Sequence, residues 1–88
     1  MYRFNDAQKM HEQYPATFEA PTQAQLDNVK SEDSVKVSHK NERFWVTVTN
    51  VEKDVITGVV DNKLIFPHPF QLGDKIVFKK KHIYTTYE

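Results

Sequence analysis

A chain of 88 residues with 39% hydrophobic and 12% aromatic side chains is long enough for one domain with a modest core, and too apolar for disorder by composition. Twelve basic and twelve acidic residues leave no net charge, which argues against a nucleic-acid binder driven by bulk electrostatics and against an acidic mimic of DNA. The absence of cysteine excludes a disulfide framework, a thiolate metal site and a cysteine nucleophile.

The opening Met1-Tyr2-Arg3-Phe4-Asn5-Asp6 has no apolar run of the length a signal peptide needs, and no stretch approaches a membrane span. A soluble, cytoplasmic protein is expected. Charge is uneven along the chain: residues 1–33 carry a balance of −3 and residues 34–88 one of +3. The simpler meaning is that two parts of one domain attract each other; a docking surface is the alternative.

Asn5 or Asp6 is placed to cap a short helix running to about Gln13, and Pro15 ends it. Ala16 to Pro21 is expected to be extended, with Phe18 anchoring it in the core. Thr22-Gln23-Ala24-Gln25 has the spacing of a capping box, so a second short helix begins there, with Leu26 and Val29 on its apolar face.

From Ser34 the hydrophobic period becomes two. Val35 and Val37 mark a first strand and Lys40-Asn41 a turn. In the next strand, Glu42 to Val51, the residues Phe44, Val46 and Val48 share one face and Trp45, Thr47 and Thr49 the other. Glu52-Lys53-Asp54 turns into a strand over Val55 to Val60, where Gly58 implies a bulge or a close backbone approach. Asp61-Asn62 is a further turn, Leu64-Ile65-Phe66 a short strand, and Pro67-His68-Pro69 a loop. Leu72-Gly73-Asp74 turns into Ile76-Val77-Phe78, which Ile83 and Tyr84 are expected to continue. The fold class is therefore α+β, mainly β: a small bent antiparallel sheet or open, SH3-like barrel of five to six strands, with two short N-terminal helices.

Three motifs occur in order: Asn41-Glu42-Arg43-Phe44-Trp45-Val46-Thr47-Val48, then Ile56-Thr57-Gly58-Val59-Val60-Asp61-Asn62, then Leu72-Gly73-Asp74-Lys75-Ile76-Val77-Phe78. Over roughly residues 34–84 this pattern resembles the bacterial family catalogued as domain of unknown function 2314. The resemblance implies a small, mainly β fold and carries no activity with it. Pro67-His68-Pro69 and the Lys79-Lys80-Lys81 run look particular to this chain.

Four groups of residues are candidates for function. Trp45, opposite the core face, is either a binding anchor or a contact beneath the N-terminal helices; the second is favoured because Phe4, Tyr14, Phe18 and Leu26 need a place to pack. Lys79, Lys80 and Lys81 with His82, Tyr84 and Tyr87 combine cations with aromatic rings, as single-strand nucleic-acid binders do; lysines on a last strand also protect an edge from aggregation. His68, between two prolines, is expected at a rigid loop tip and is a candidate recognition point. His11, His39, His68 and His82 show no ligand spacing, so no metal or other cofactor is expected. There is no serine elbow, phosphate loop or metalloprotease helix, and Glu42 beside Arg43 is read as a surface ion pair.

The expected function is a small non-catalytic protein-interaction module, of the inhibitor or immunity type, from a bacterium or one of its viruses. Its partner is an unidentified protein rather than a membrane. The alternative is a nucleic-acid-binding β-barrel using the lysine-rich C-terminal strand. A monomer is expected, or a homodimer made by edge pairing of the last strand.

Overall fold

The computed structural model describes residues 3–86. Asp6 caps α1 (Ala7–Gln13) through its carboxylate, which accepts from the Lys9 amide at 3.0 Å. Pro15 does not lead into an extended segment. Residues 15–17 form a turn in which the amides of Thr17 and Phe18 both donate to the Tyr14 carbonyl. The capping box forms as its spacing requires: the Gln25 amide donates to Thr22 Oγ1 at 3.2 Å and the Thr22 amide to Gln25 Oε1 at 2.8 Å, opening α2 (Gln23–Asp27).

Five antiparallel strands form one open sheet: β1 (Ser34–His39), β2 (Glu42–Glu52), β3 (Val55–Val60), β4 (Lys75–Lys79) and β5 (Thr85–Thr86), in the order β4-β3-β2-β1-β5. The β1–β2 hairpin closes on two residues, Lys40 and Asn41, both with positive φ (49° and 67°). That backbone matches the twist of the flanking strands, and asparagine tolerates it well. Thr49 is an extra residue between the pairs Val48↔Gly58 and Asn50↔Thr57, and this bulge bends β2. Gly58 accommodates the bend. A Cβ there would collide with the Val46 side chain and lie 2.9 Å from the Thr47 carbonyl oxygen.

Two sequence expectations change in the second half of the chain. Leu64-Ile65-Phe66 forms no strand; residues 61–74 are one irregular connection. Ile83 and Tyr84 do not extend β4 either. A 3-10 turn over Lys80–His82 breaks the strand, the Tyr84 amide reaches the Lys36 carbonyl at 2.8 Å, and β5 pairs with β1 at the opposite edge. The crossing is short. Three residues at about 2.0 Å and three at about 3.4 Å span roughly 16 Å, whereas four flat strand spacings need about 19 Å. The sheet must therefore curl.

The concave side of the curl is the core. Phe44, Val46 and Val48 from β2 meet Val35, Val37, Ile56, Val60, Ile76, Phe78 and Ile83. Phe4, Leu26 and Val29 from the N-terminal third complete the same cluster, so α2 docks on the Phe44 side, while α1, with Ala7 buried, packs against the turn at Lys80–His82. Among the described residues two ion pairs join the acidic first third to the basic remainder: Lys80 to Asp27 at 3.4 Å and Lys81 to Asp6 at 3.7 Å. The charge asymmetry thus acts within the domain. No helix among the described residues is long and apolar enough to cross a membrane.

Candidate functional site: a loop clamped from within

The 61–74 connection is long for a domain of this size, and structureless loops of that length are usually either functional or loose linkers. Its ends are fastened to the sheet. The Asp61 amide donates to the Trp45 carbonyl at 2.9 Å, the Trp45 amide donates to Asn62 Oδ1 at 2.7 Å, and the Thr47 hydroxyl donates to Asp61 Oδ2 at 3.1 Å. At the far end the Gly73 amide donates to the Val60 carbonyl and the Val60 amide to the Asp74 carbonyl, both at 2.9 Å, and Gly73 adopts a φ of 91° that favours glycine.

The middle of the loop is held by Glu42, the first residue of β2. Its side chain is only 7% exposed and accepts three hydrogen bonds: from the Ile65 amide at 2.8 Å, the Phe66 amide at 2.9 Å and His68 Nε2 at 2.8 Å. The Ile65 amide, then His68 and the Phe66 amide, hold this carboxyl below the usual carboxylate range, against the opposing push of burial. Glu42 is not the surface partner of Arg43. It has the parity of Phe44, Val46 and Val48, and so points into the concave side.

His68 continues the chain of contacts. Its side chain is fully buried, and its Nδ1 lies 2.7 Å from Nδ1 of His39, the last residue of β1. The His68 ring stacks on Phe70 with centroids 5.3 Å apart and planes at 15°; Phe4 and Phe44 flank the two imidazoles. Burial first, then the proximity of His68 and Lys40, lowers the His39 pKa from its ordinary value. Glu42, His68 and His39 thus form a buried carboxylate–imidazole–imidazole relay across β2, the loop and β1. Among the described residues no group of three side chains is placed to hold a metal ion.

The outward side of the loop is different in kind. Ile65 is 83% exposed, Phe66 59% and Leu72 57%. Phe66 and Leu72, with Leu64, Phe70 and Lys63, line an open groove of about 460 Å³. The loop is therefore rigid on the inside and apolar on the outside.

The residues singled out from sequence are not brought together. His68 is an internal strut rather than an exposed tip, because Glu42 and His39 satisfy its ring from below. Trp45 is half-buried on the convex face, with the Lys36 ammonium 4.9 Å from its ring centroid. The helices do not cover it. Phe4 and Leu26 pack into the core on the other face, Phe18 packs edge-on against Tyr84 at 5.2 Å rather than in the core, and Tyr14 is 54% exposed. Phe4 and Leu26 went to the apolar side of the sheet, and on the other face the N-terminal segment reaches Arg43, where the Phe18 ring lies 5.7 Å from the guanidinium, and Ser38, whose hydroxyl donates to Asn5 Oδ1. The lysines do not form a strand stripe: Lys79 ends β4, while Lys80 and Lys81 sit on the 3-10 turn and reach Asp27 and Asp6. Tyr84 is buried beneath the Arg43 guanidinium, 4.8 Å from its ring, and burial raises its pKa. Tyr87 lies outside the described residues.

Sequence reasoning missed His39, Glu42, Ile65, Phe66 and Leu72 as members of one site. One signal was available: an acidic residue in phase with three core residues demands partners in the interior. Its partners are 23 to 26 residues away, and nothing local names them. Comparison of the chain with protein-family models, curated proteins and solved structures returns no match.

Proposed function

We propose that this chain is a non-catalytic protein-interaction module whose docking surface is the 61–74 loop. The observation that carries the reading is the concentration of Ile65, Phe66 and Leu72 at high exposure on one loop whose backbone is fastened from inside. Exposed apolar groups on a preorganised backbone bind with little ordering cost. The likeness to the domain of unknown function 2314 family belongs to the same proposal, supported by its three motifs lying on β2, on β3 and at the turn into β4. So does an SH3-like description, supported by the 3-10 turn that carries the chain from β4 to β5 beside β1. The inhibitor or immunity role, cytoplasmic location and bacterial or phage origin remain part of the expectation this reading extends.

A photo-crosslinking side chain at position 66, with a second at the exposed Glu52 as control, tests the loop directly. One protein captured from cell extract at position 66 and not at position 52 supports the reading when Ile65→Ser with Phe66→Ser weakens its binding at least tenfold. Binding that instead follows Lys79→Gln, Lys80→Gln and Lys81→Gln, and weakens steeply with salt, would favour the nucleic-acid alternative.

A further inference from the structure

We propose that the His39–His68 contact makes the 61–74 loop a proton-released clamp, closed at neutral pH and opened by mild acid. The inference concerns regulation of the docking loop and so rests on that reading for its biological meaning; its chemistry stands on geometry alone.

The two Nδ1 atoms are 2.7 Å apart, a hydrogen-bond distance. One proton between them makes the bond. Two bare nitrogens would oppose their lone pairs, and two N–H groups would collide. Nε2 of His68 is committed as donor to Glu42 Oε1. Within those constraints the pair carries either no charge or one positive charge, and the Glu42 carboxylate balances one. A second positive charge would require N–H groups on both facing nitrogens, so the contact must break.

The facing nitrogens exclude a second positive charge whatever surrounds them. Among the described residues the Glu42 carboxylate is bonded to the pair, and Lys40, in the adjoining turn, adds positive potential at His39. The rings of Phe4, Phe44 and Phe70 pack around the imidazoles and supply no charge. His82 lies beyond Phe4, with ring centroids 6.0 Å apart, and its own surroundings include Asp6, Lys79 and Lys81. Release frees the two Nδ1 atoms from sharing one proton, and an imidazole in water takes up its proton near pH 6.5. The released state then binds at least one more proton than the clamped state. Release is favoured by at least about tenfold for each pH unit below that point. Breaking the His39–His68 bond removes one of the supports on the segment that carries Ile65 and Phe66, while β2 and β3 keep their own ladder.

The test is amide hydrogen exchange of the wild-type chain, followed by NMR from about pH 7.5 to about pH 5. The Ile65 and Phe66 amides, corrected for intrinsic exchange, are expected to lose protection by at least about tenfold per pH unit below about 6.5, ahead of Val46 and Ile56 in the sheet. His39→Asn can turn its amide oxygen toward His68 and accept from a protonated Nδ1, so the closed loop holds the same proton as the released one and its protection is expected to be flat over this range. If that variant does not fold, imidazole 15N spectra of the wild type decide: a proton shared between the two Nδ1 atoms must disappear together with loop protection. Protection that persists to pH 5, that is lost in step with Val46 and Ile56, or that keeps its slope in His39→Asn overturns the proposal. Partner capture at pH 7.5, with the clamp closed, tests docking separately: a pH-insensitive loop that still binds removes only the clamp, and a pH-released loop with no partner removes only the docking function.

Discussion

The β1–β2–β3 meander and the 61–74 loop are ordered by opposite means. The meander is made of short-range choices: alternating burial, two-residue turns at Lys40-Asn41 and Lys53-Asp54, and strand partners adjacent in sequence. The loop has no ladder of its own. Its central segment depends on one carboxylate at the start of β2 and one imidazole at the end of β1, supplied by residues more than twenty positions earlier. A structure held by many weak local terms degrades gradually, whereas one held by a few buried polar contacts fails when any of them is lost. The difference predicts which substitutions act everywhere and which act only on the loop.

The largest effect is expected where the two regions share a core. Phe44→Ala removes a fully buried ring that touches both the meander and the His68–Phe70 stack. It should cost about 3–5 kcal/mol, visible as a lower urea midpoint with both regions unfolding together. Separate transitions for sheet and loop would show that they are not coupled through this ring.

Glu42→Gln should separate the regions. A glutamine keeps the shape but presents an NH2 group toward amide donors, leaving at least one loop amide without its acceptor. Hydrogen exchange at Ile65 and Phe66 should accelerate on the order of tenfold or more, while Val46 and Ile56 change far less. Equal acceleration in both sets would mean that Glu42 supports the sheet rather than the loop.

Acid should then weaken the whole domain modestly. His39 and His82 both have lowered pKa values, the first cause in each being burial. The unfolded chain takes up protons at these rings as pH falls through about 6.5, and the native state resists, so stability present above that pH is lost below it. Glu42, whose pKa is also lowered, adds a further loss only below its ordinary value near 4.5, where the unfolded carboxylate protonates first. Urea midpoints measured between about pH 7.5 and 4 should fall in two stages, and His82→Phe should reduce the first without abolishing it. The smallest effect belongs to a purely local device. Thr22→Ala removes the cap of α2 and should cost about 1 kcal/mol, leaving loop protection unchanged.

The elements that the chain announced are those whose interactions close within a few residues. The capping box at Thr22 and Gln25, the Asp6 cap, the alternation of Phe44, Val46 and Val48, and the glycine opposite a bulge all follow from chemistry visible in a short window. Glu42 was misread because its neighbour Arg43 offered a simple exposed partner, while its true partners lie beyond the next hairpin. Leu64 to Phe66 looked like a strand by composition, but their amides serve a carboxylate instead of a ladder, and Ile65 is turned to solvent.

By itself, then, the sequence determined that this chain makes short helices followed by an antiparallel sheet, and which face of β2 is apolar. Periodicity and capping are properties of neighbouring residues, so they are present before any tertiary contact exists. Only the tertiary structure decided that β5 returns to β1, that Phe4 and Leu26 pack beside Phe44 rather than Trp45, and that His39, Glu42 and His68 meet. Those outcomes depend on the curl of the sheet, which brings remote residues within bonding distance, and on the cost of burying a carboxylate, which only partners from elsewhere in the chain can offset.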